Sequence, residues 1–134
     1  MNSNRMQEAL FTAGDYVAGA GTGAATAAAV RALVSPQLDM VLAMLIGMAV
    51  GMIVHLVLAL LLSPVLGAFH VMVPGSLIGM YGGMLFAMRD TMQAHSASLS
   101  HAAIVGVIFG LVVVAALRLY DRALKAAPPS GPAA

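Results

Sequence analysis

The stretch from residue 38 to residue 62, LDMVLAMLIGMAVGMIVHLVLALLL, decides the fold class of this chain. After Asp39 it contains no aspartate, glutamate, lysine or arginine, and His55 is its only titratable interior side chain. Its 25 residues exceed the roughly 20 that a helix needs to cross the hydrocarbon core of a bilayer. The stretch therefore predicts a transmembrane helix.

The composition of the whole chain agrees with this prediction. Of its 134 residues, 61% are hydrophobic and 8% are charged, whereas soluble domains carry about 25% charged residues. The absence of cysteine excludes disulfides, thiolate metal sites and cysteine nucleophiles. A net charge of +1 without a basic block predicts no nucleic-acid partner.

Three further apolar stretches predict three more membrane spans, over residues 13–34, 65–88 and 102–120. Pro36 and Pro64 separate the first three spans, and Pro74 followed by Gly75 should kink or split the third. Residues 126–134, rich in alanine and proline, predict a disordered tail. We therefore expect a single all-α membrane domain over residues 1–125, with four transmembrane helices.

The distribution of basic residues predicts the orientation of these spans. Four crossings place both termini on one side, together with Arg5, Arg118, Arg122 and Lys125. The opposite side carries only Arg31 and Arg89. Because basic residues are enriched in cytoplasmic segments, we expect a multi-pass protein of a bacterial inner membrane with both termini in the cytoplasm.

Methionine recurs at every fourth position in the second and third spans. The first series is Met40, Met44, Met48 and Met52, and the second is Met80, Met84, Met88 and Met92. A small residue directly precedes most of these methionines, and the order of the small residues is reversed between the two series. The reversal is what two antiparallel helices in contact would require.

We therefore predict a tight hairpin of the second and third spans, folded near Pro64. The predicted small-residue pairs are Ala43 with Ala87, Gly47 with Gly83, and Gly51 with Gly79. Small residues at four-residue spacing allow two membrane helices to approach closely. The methionines would then flank the contact, and we expect His55 and His70 on the same face as the methionines.

Two interpretations of the methionine series remain open. Methionine can serve packing alone, because it is flexible and fills irregular gaps. Alternatively, uncharged thioethers are soft ligands suited to Cu(I), and a row of weak sites would let an ion enter and leave. The candidate metal ligands are Met40, Met44, Met48, Met52, His55, His70, Met72, Met80, Met84 and Met88.

The most specific functional prediction is therefore handling or transport of Cu(I) or a related soft metal. The alternative is a non-catalytic structural or accessory subunit of a membrane complex, in contact with lipid and with copies of itself or other proteins. The small-residue face of Gly19, Gly23 and Ala27 could serve such a contact or the packing of the bundle itself. No catalytic motif is present, so we expect no enzyme.

Asp15 and Arg31 are the charged residues near the ends of the first span. They are separated by 16 residues, or about 24 Å of helix, so they cannot pair with each other. We expect each at its own membrane interface, with Asp15 a site for a proton or ion if it faces the bundle.

Overall fold

The structure is a computed structural model that describes residues 3–66, 68–92 and 98–126, without the side chains of residues 65–71. Apart from residues 34–39 and residue 98, the described residues are helical. The helices are α1 (Ser3–Leu33), α2 (Met40–Leu66), α3 (Ala68–Leu77), a π-helical turn (Ile78–Gly82), α4 (Gly83–Met92) and α5 (Leu99–Ala126). The π turn joins α3 to α4 without a break, so the described residues form four rods.

Several helix ends differ from the predicted spans. Pro64 lies inside α2, which ends at Leu66, because a proline two residues before a helix end removes only one backbone hydrogen bond. The third rod also continues through Pro74 and changes to π geometry at Ile78. α5 includes Ala126, the first residue of the predicted tail, and residues 127–134 lie outside the described part.

The four rods form two antiparallel pairs, each with glycines at its contact. In the first pair, Gly19 of α1 meets Gly110 of α5, and Gly23 meets Gly106. In the second pair, α2 packs against the π turn and α4. The partner numbers fall on one helix as they rise on the other, so the two helices of each pair run in opposite directions.

A small apolar core joins the two pairs. Its buried members are Ala27, Val30, Val34, Ala43, Phe86 and Ala87. Phe86 of α4 meets Phe109 of α5 edge to face, with ring centroids 5.5 Å apart. This core lies nearer the end of the bundle where α1 and α4 finish and α2 and α5 begin, which we call the loop end. The opposite end, where α1 begins and α5 finishes, is the terminal end.

Two of the described helices are long and apolar enough to cross a membrane. They are the segment Met40–Pro64 of α2 and the helix α5, and the mean hydropathy of an 18-residue window reaches 2.7 in the first and 2.6 in the second. Large apolar side chains on their outer faces are exposed, among them Leu60 at 77% and Val112 at 59%. An exposed apolar surface of this extent fits a hydrocarbon environment better than water.

Candidate functional site

The predicted pairing of the second and third rods is present as a direct contact of backbones. A β-carbon added at Gly47 would overlap the carbonyl oxygen of Gly83, and one at Gly51 would overlap that of Gly79. The reciprocal additions at Gly79 and Gly83 would meet the backbones of Gly51 and Gly47. We call this contact the glycine interface. It leaves no space for an ion between the two backbones.

The methionines lie beside this interface, and both series lie on the same side of it. Met48 and Met52 each follow an interface glycine by one residue, as do Met80 and Met84 on the other rod. One residue is a turn of about 100° around a helix. Because the rods are antiparallel, this turn leads to the same flank in both. The two series therefore form one shared surface, the methionine face.

The methionine face points away from α1 and α5. Residues that precede the interface positions, such as Ile78 and Phe86, are 0% and 5% exposed and face the rest of the bundle. Met40 and Met80 lie on the other flank of the glycine interface from Ile78 and Phe86, and they are 39% and 44% exposed. The members Met44, Met48, Met52, Met84 and Met88 are half-buried. The methionine side chains thus border the outside of the bundle rather than an interior channel.

His55 does not belong to the methionine face, although the sequence suggested that it would. It continues the row of Gly47 and Gly51, and its ring packs on α3, where a β-carbon at Gly75 would overlap its Nδ1. The side chain is 6% exposed, and none of the described residues forms a hydrogen bond with its Nδ1. Gly75 is therefore the residue that makes room for the imidazole.

The remaining methionines do not join the half-buried members of the methionine face. Met72 of α3 is 53% exposed and Met92 at the end of α4 is 69% exposed. His70 is in α3, but its side chain lies outside the described part of the chain. Among the described residues, no three histidine or carboxylate side chains cluster as a metal site would require. A metal ion at this surface would depend chiefly on thioethers.

The terminal end carries a polar network that the sequence did not reveal. Asp15 does not stand alone at an interface: its Oδ2 accepts a hydrogen bond from Arg118 Nη2 at 2.7 Å. Arg118 also donates from Nη1 to Thr12 Oγ1 at 2.8 Å, and its guanidinium lies over the Tyr16 ring. The sequence contained one signal for this pair. Asp15 lies near the start of the first predicted span and Arg118 near the end of the fourth, so the predicted topology places both at a similar depth in the membrane.

A second polar cluster lies at the loop end. Asp90 is 2% exposed, and within the described part of the chain no group hydrogen-bonds to its Oδ2. Burial raises the pKa of the Asp90 carboxyl, while the positive charges of Arg31 and Arg89 act in the opposite direction. Arg89 Nη2 donates to His101 Nδ1 at 2.8 Å and so connects α4 with α5. Arg31 of α1 thus interacts with the charge of Asp90 on α4, as Asp15 of α1 interacts with Arg118 on α5.

The small-residue face of α1 also has an assigned partner. Gly19 and Gly23 are in contact with α5, and a β-carbon at Gly106 would meet the side chain of Ala27. The face serves packing within the chain, which was one of the two expected uses. Gly106 and Gly110 repeat the four-residue spacing and were the sequence signal for this second contact.

No family model, curated protein or solved structure matches this chain.

Proposed function

We propose that this chain is a four-span protein of a bacterial inner membrane that handles Cu(I) or a related soft metal ion at its methionine face. Membrane placement is supported by the two long apolar helices and by the exposed apolar surface. α1 and the third rod would contain the remaining spans, over residues 13–34 and 65–88. They are less apolar, and glycine contacts pack each against one of the two apolar helices.

One observation carries the metal proposal: two methionine series from different helices share one flank of the glycine interface. The glycines alone bring the backbones into contact, so the helix pair does not need a methionine beside each of them. Thioethers are uncharged ligands that favour Cu(I), and they add no buried charge to a membrane helix. An ion would move along the flank of the hairpin, covered by a second copy of the chain or by another membrane protein.

The alternative proposal is a non-catalytic accessory subunit of a membrane complex. The outward direction of the methionine face favours it, since Met40 and Met80 remain well exposed. Flexible methionine side chains adapt to many partner surfaces. In this case the face would bind a protein partner without any metal.

A fourfold change of Met44, Met48, Met80 and Met84 to leucine separates the two proposals. Leucine keeps the volume and apolarity roughly constant, so the bundle should still fold. For soft-metal handling, Cu(I) affinity of the purified protein, measured by competition with a chromogenic Cu(I) chelator, should fall at least about tenfold. Met6→Leu, on the exposed start of α1, is the matched control and should leave affinity unchanged.

If the fourfold variant binds Cu(I) as tightly as the parent protein, the metal proposal is wrong. If the parent protein binds no Cu(I) but co-purifies with a membrane partner through the same face, the accessory role is supported. Orientation can be tested separately with reporter fusions at each terminus. The distribution of basic residues predicts that both reporters signal a cytoplasmic location.

A further inference from the structure

An open cleft of about 800 Å³ lies at the terminal end, between α1, α3 and α5. One part of its wall is apolar and comes from all three helices: Phe11, Val73, Pro74, Val114 and Leu117. The other part is charged. Its acids are Glu8, Asp15 and Asp121, and its bases are Arg118, Arg122 and Lys125. An apolar wall beside charges of both signs suits an amphiphilic occupant.

The charges of this cleft balance, and two opposite charges remain available to a ligand. Asp15 pairs with Arg118, and Asp121 pairs with Lys125 at 2.6 Å. Among the described residues, no hydrogen bond or ion pair engages the Glu8 carboxylate or the Arg122 guanidinium. Both side chains are exposed at the cleft. A ligand carrying one anionic and one cationic group would complement them.

In the proposed membrane orientation, the charged part of the cleft also lies at the level of the lipid headgroups. α1 has 31 residues and α5 has 28, so at 1.5 Å per residue they are about 46 and 42 Å long. A hydrocarbon core of about 30 Å covers only part of that length. The predicted fourth span ends at residue 120, which places Asp121, Arg122 and Lys125 at headgroup level.

We infer that this cleft binds a zwitterionic phospholipid of the phosphoethanolamine type. Its phosphate would meet Arg122, its ammonium would meet Glu8, and an acyl chain would lie along the apolar wall. The balanced charge of the cleft favours this lipid over an anionic one, for which an excess of basic residues would be expected. The inference rests on the proposed membrane location, but it is independent of metal handling.

The test uses the full-length protein, purified in a neutral detergent and offered equal amounts of phosphatidylethanolamine and phosphatidylglycerol. Native mass spectrometry counts the lipid that stays bound. The parent protein should retain phosphatidylethanolamine in at least about fivefold preference. Arg122→Gln should weaken retention of both lipids, and Glu8→Gln should shift the preference toward phosphatidylglycerol. Arg5→Gln removes a charge of α1 that does not line the cleft and should change neither.

Alkaline extraction of membranes from the same cells distinguishes failure of this inference from failure of the membrane location. A protein that stays in the membrane pellet but shows no lipid preference, or prefers phosphatidylglycerol, overturns the phospholipid inference alone. The same holds if Glu8→Gln and Arg122→Gln behave like the parent protein. A protein released into the soluble fraction overturns the membrane location and this inference together.

Discussion

The carboxylate of Asp15 and the guanidinium of Arg118 meet at 2.7 Å, although 103 residues separate them in the chain. Their side chains are only 15% and 27% exposed, so each charge depends on the other for part of its solvation. The pair joins the first half of α1 to the last third of α5. It therefore closes the bundle at the terminal end, beyond the last glycine contact of these two helices.

Changing Asp15 to asparagine should destabilise the protein measurably. Arg118 would keep its charge in a partly buried place without its carboxylate partner, and we expect the free energy of unfolding to fall by about 1 kcal/mol. The measurement is unfolding by sodium dodecyl sulfate in mixed micelles, followed by circular dichroism. Asp121→Asn is the control, because its pair with Lys125 is 60–74% exposed and should contribute nothing measurable. Equal losses in both variants would contradict the assignment.

A glycine-to-alanine change should lower the unfolding free energy at a helix contact but not at an open helix surface. Gly51→Ala would bring a methyl group onto the Gly79 backbone, and we expect a loss of roughly 1–3 kcal/mol in unfolding free energy. Gly21→Ala is in a helix where no atom of the described residues lies within 4 Å of the added carbon, so it should be neutral or stabilising by up to about 1 kcal/mol. The same micelle titration compares them. A neutral Gly51→Ala variant would show that the backbones are not in contact.

His55 and Gly75 should be energetically coupled. Gly75→Ala alone would push its methyl group into the imidazole ring, and it should cost roughly 1–3 kcal/mol. In a His55→Ala background the ring is absent, and most of that cost should disappear. A double-mutant cycle measures the difference, for which we expect about 1 kcal/mol or more. Strictly additive losses would mean that the ring does not occupy the space left by Gly75.

The Asp90 carboxyl should make stability depend on pH. Asp90 lies just beyond the third predicted span, and burial raises its pKa above the ordinary value of 3.8. The folded state then holds its proton to higher pH than the unfolded state does. This contribution to stability is complete below about pH 3.8 and is lost as the pH rises through the folded-state pKa.

Asp90→Asn removes this titration and keeps the shape of the side chain. The unfolding free energy of the parent protein relative to this variant should therefore decrease as the pH rises from about 4 to 7. Unfolding titrations at several pH values provide the measurement. A difference that is flat across this range, or that increases with pH, would show that burial does not govern the Asp90 proton.

The glycine pairs were predictable because a helix converts sequence spacing directly into position. Gly47, Gly51, Gly79 and Gly83 recur every fourth residue in two apolar stretches. Ala43 precedes the first pair and Ala87 follows the second, and this reversed order of small residues specified which residues meet. The environment of His55 was not predictable in the same way. Its angular position lies between the glycine row and the methionine row, and the contact with Gly75 depends on how the rods cross.

The sequence by itself determined that this chain is helical, that it contains long apolar segments, and that its second and third rods pair through glycines. These properties follow from local composition and from the periodicity of a helix. Only the tertiary structure decided that the methionine face points away from α1 and α5, and that Asp15 and Arg31 face charges on other helices. Those relationships depend on the side from which one helix pair packs against the other, and no spacing within a single helix encodes that choice.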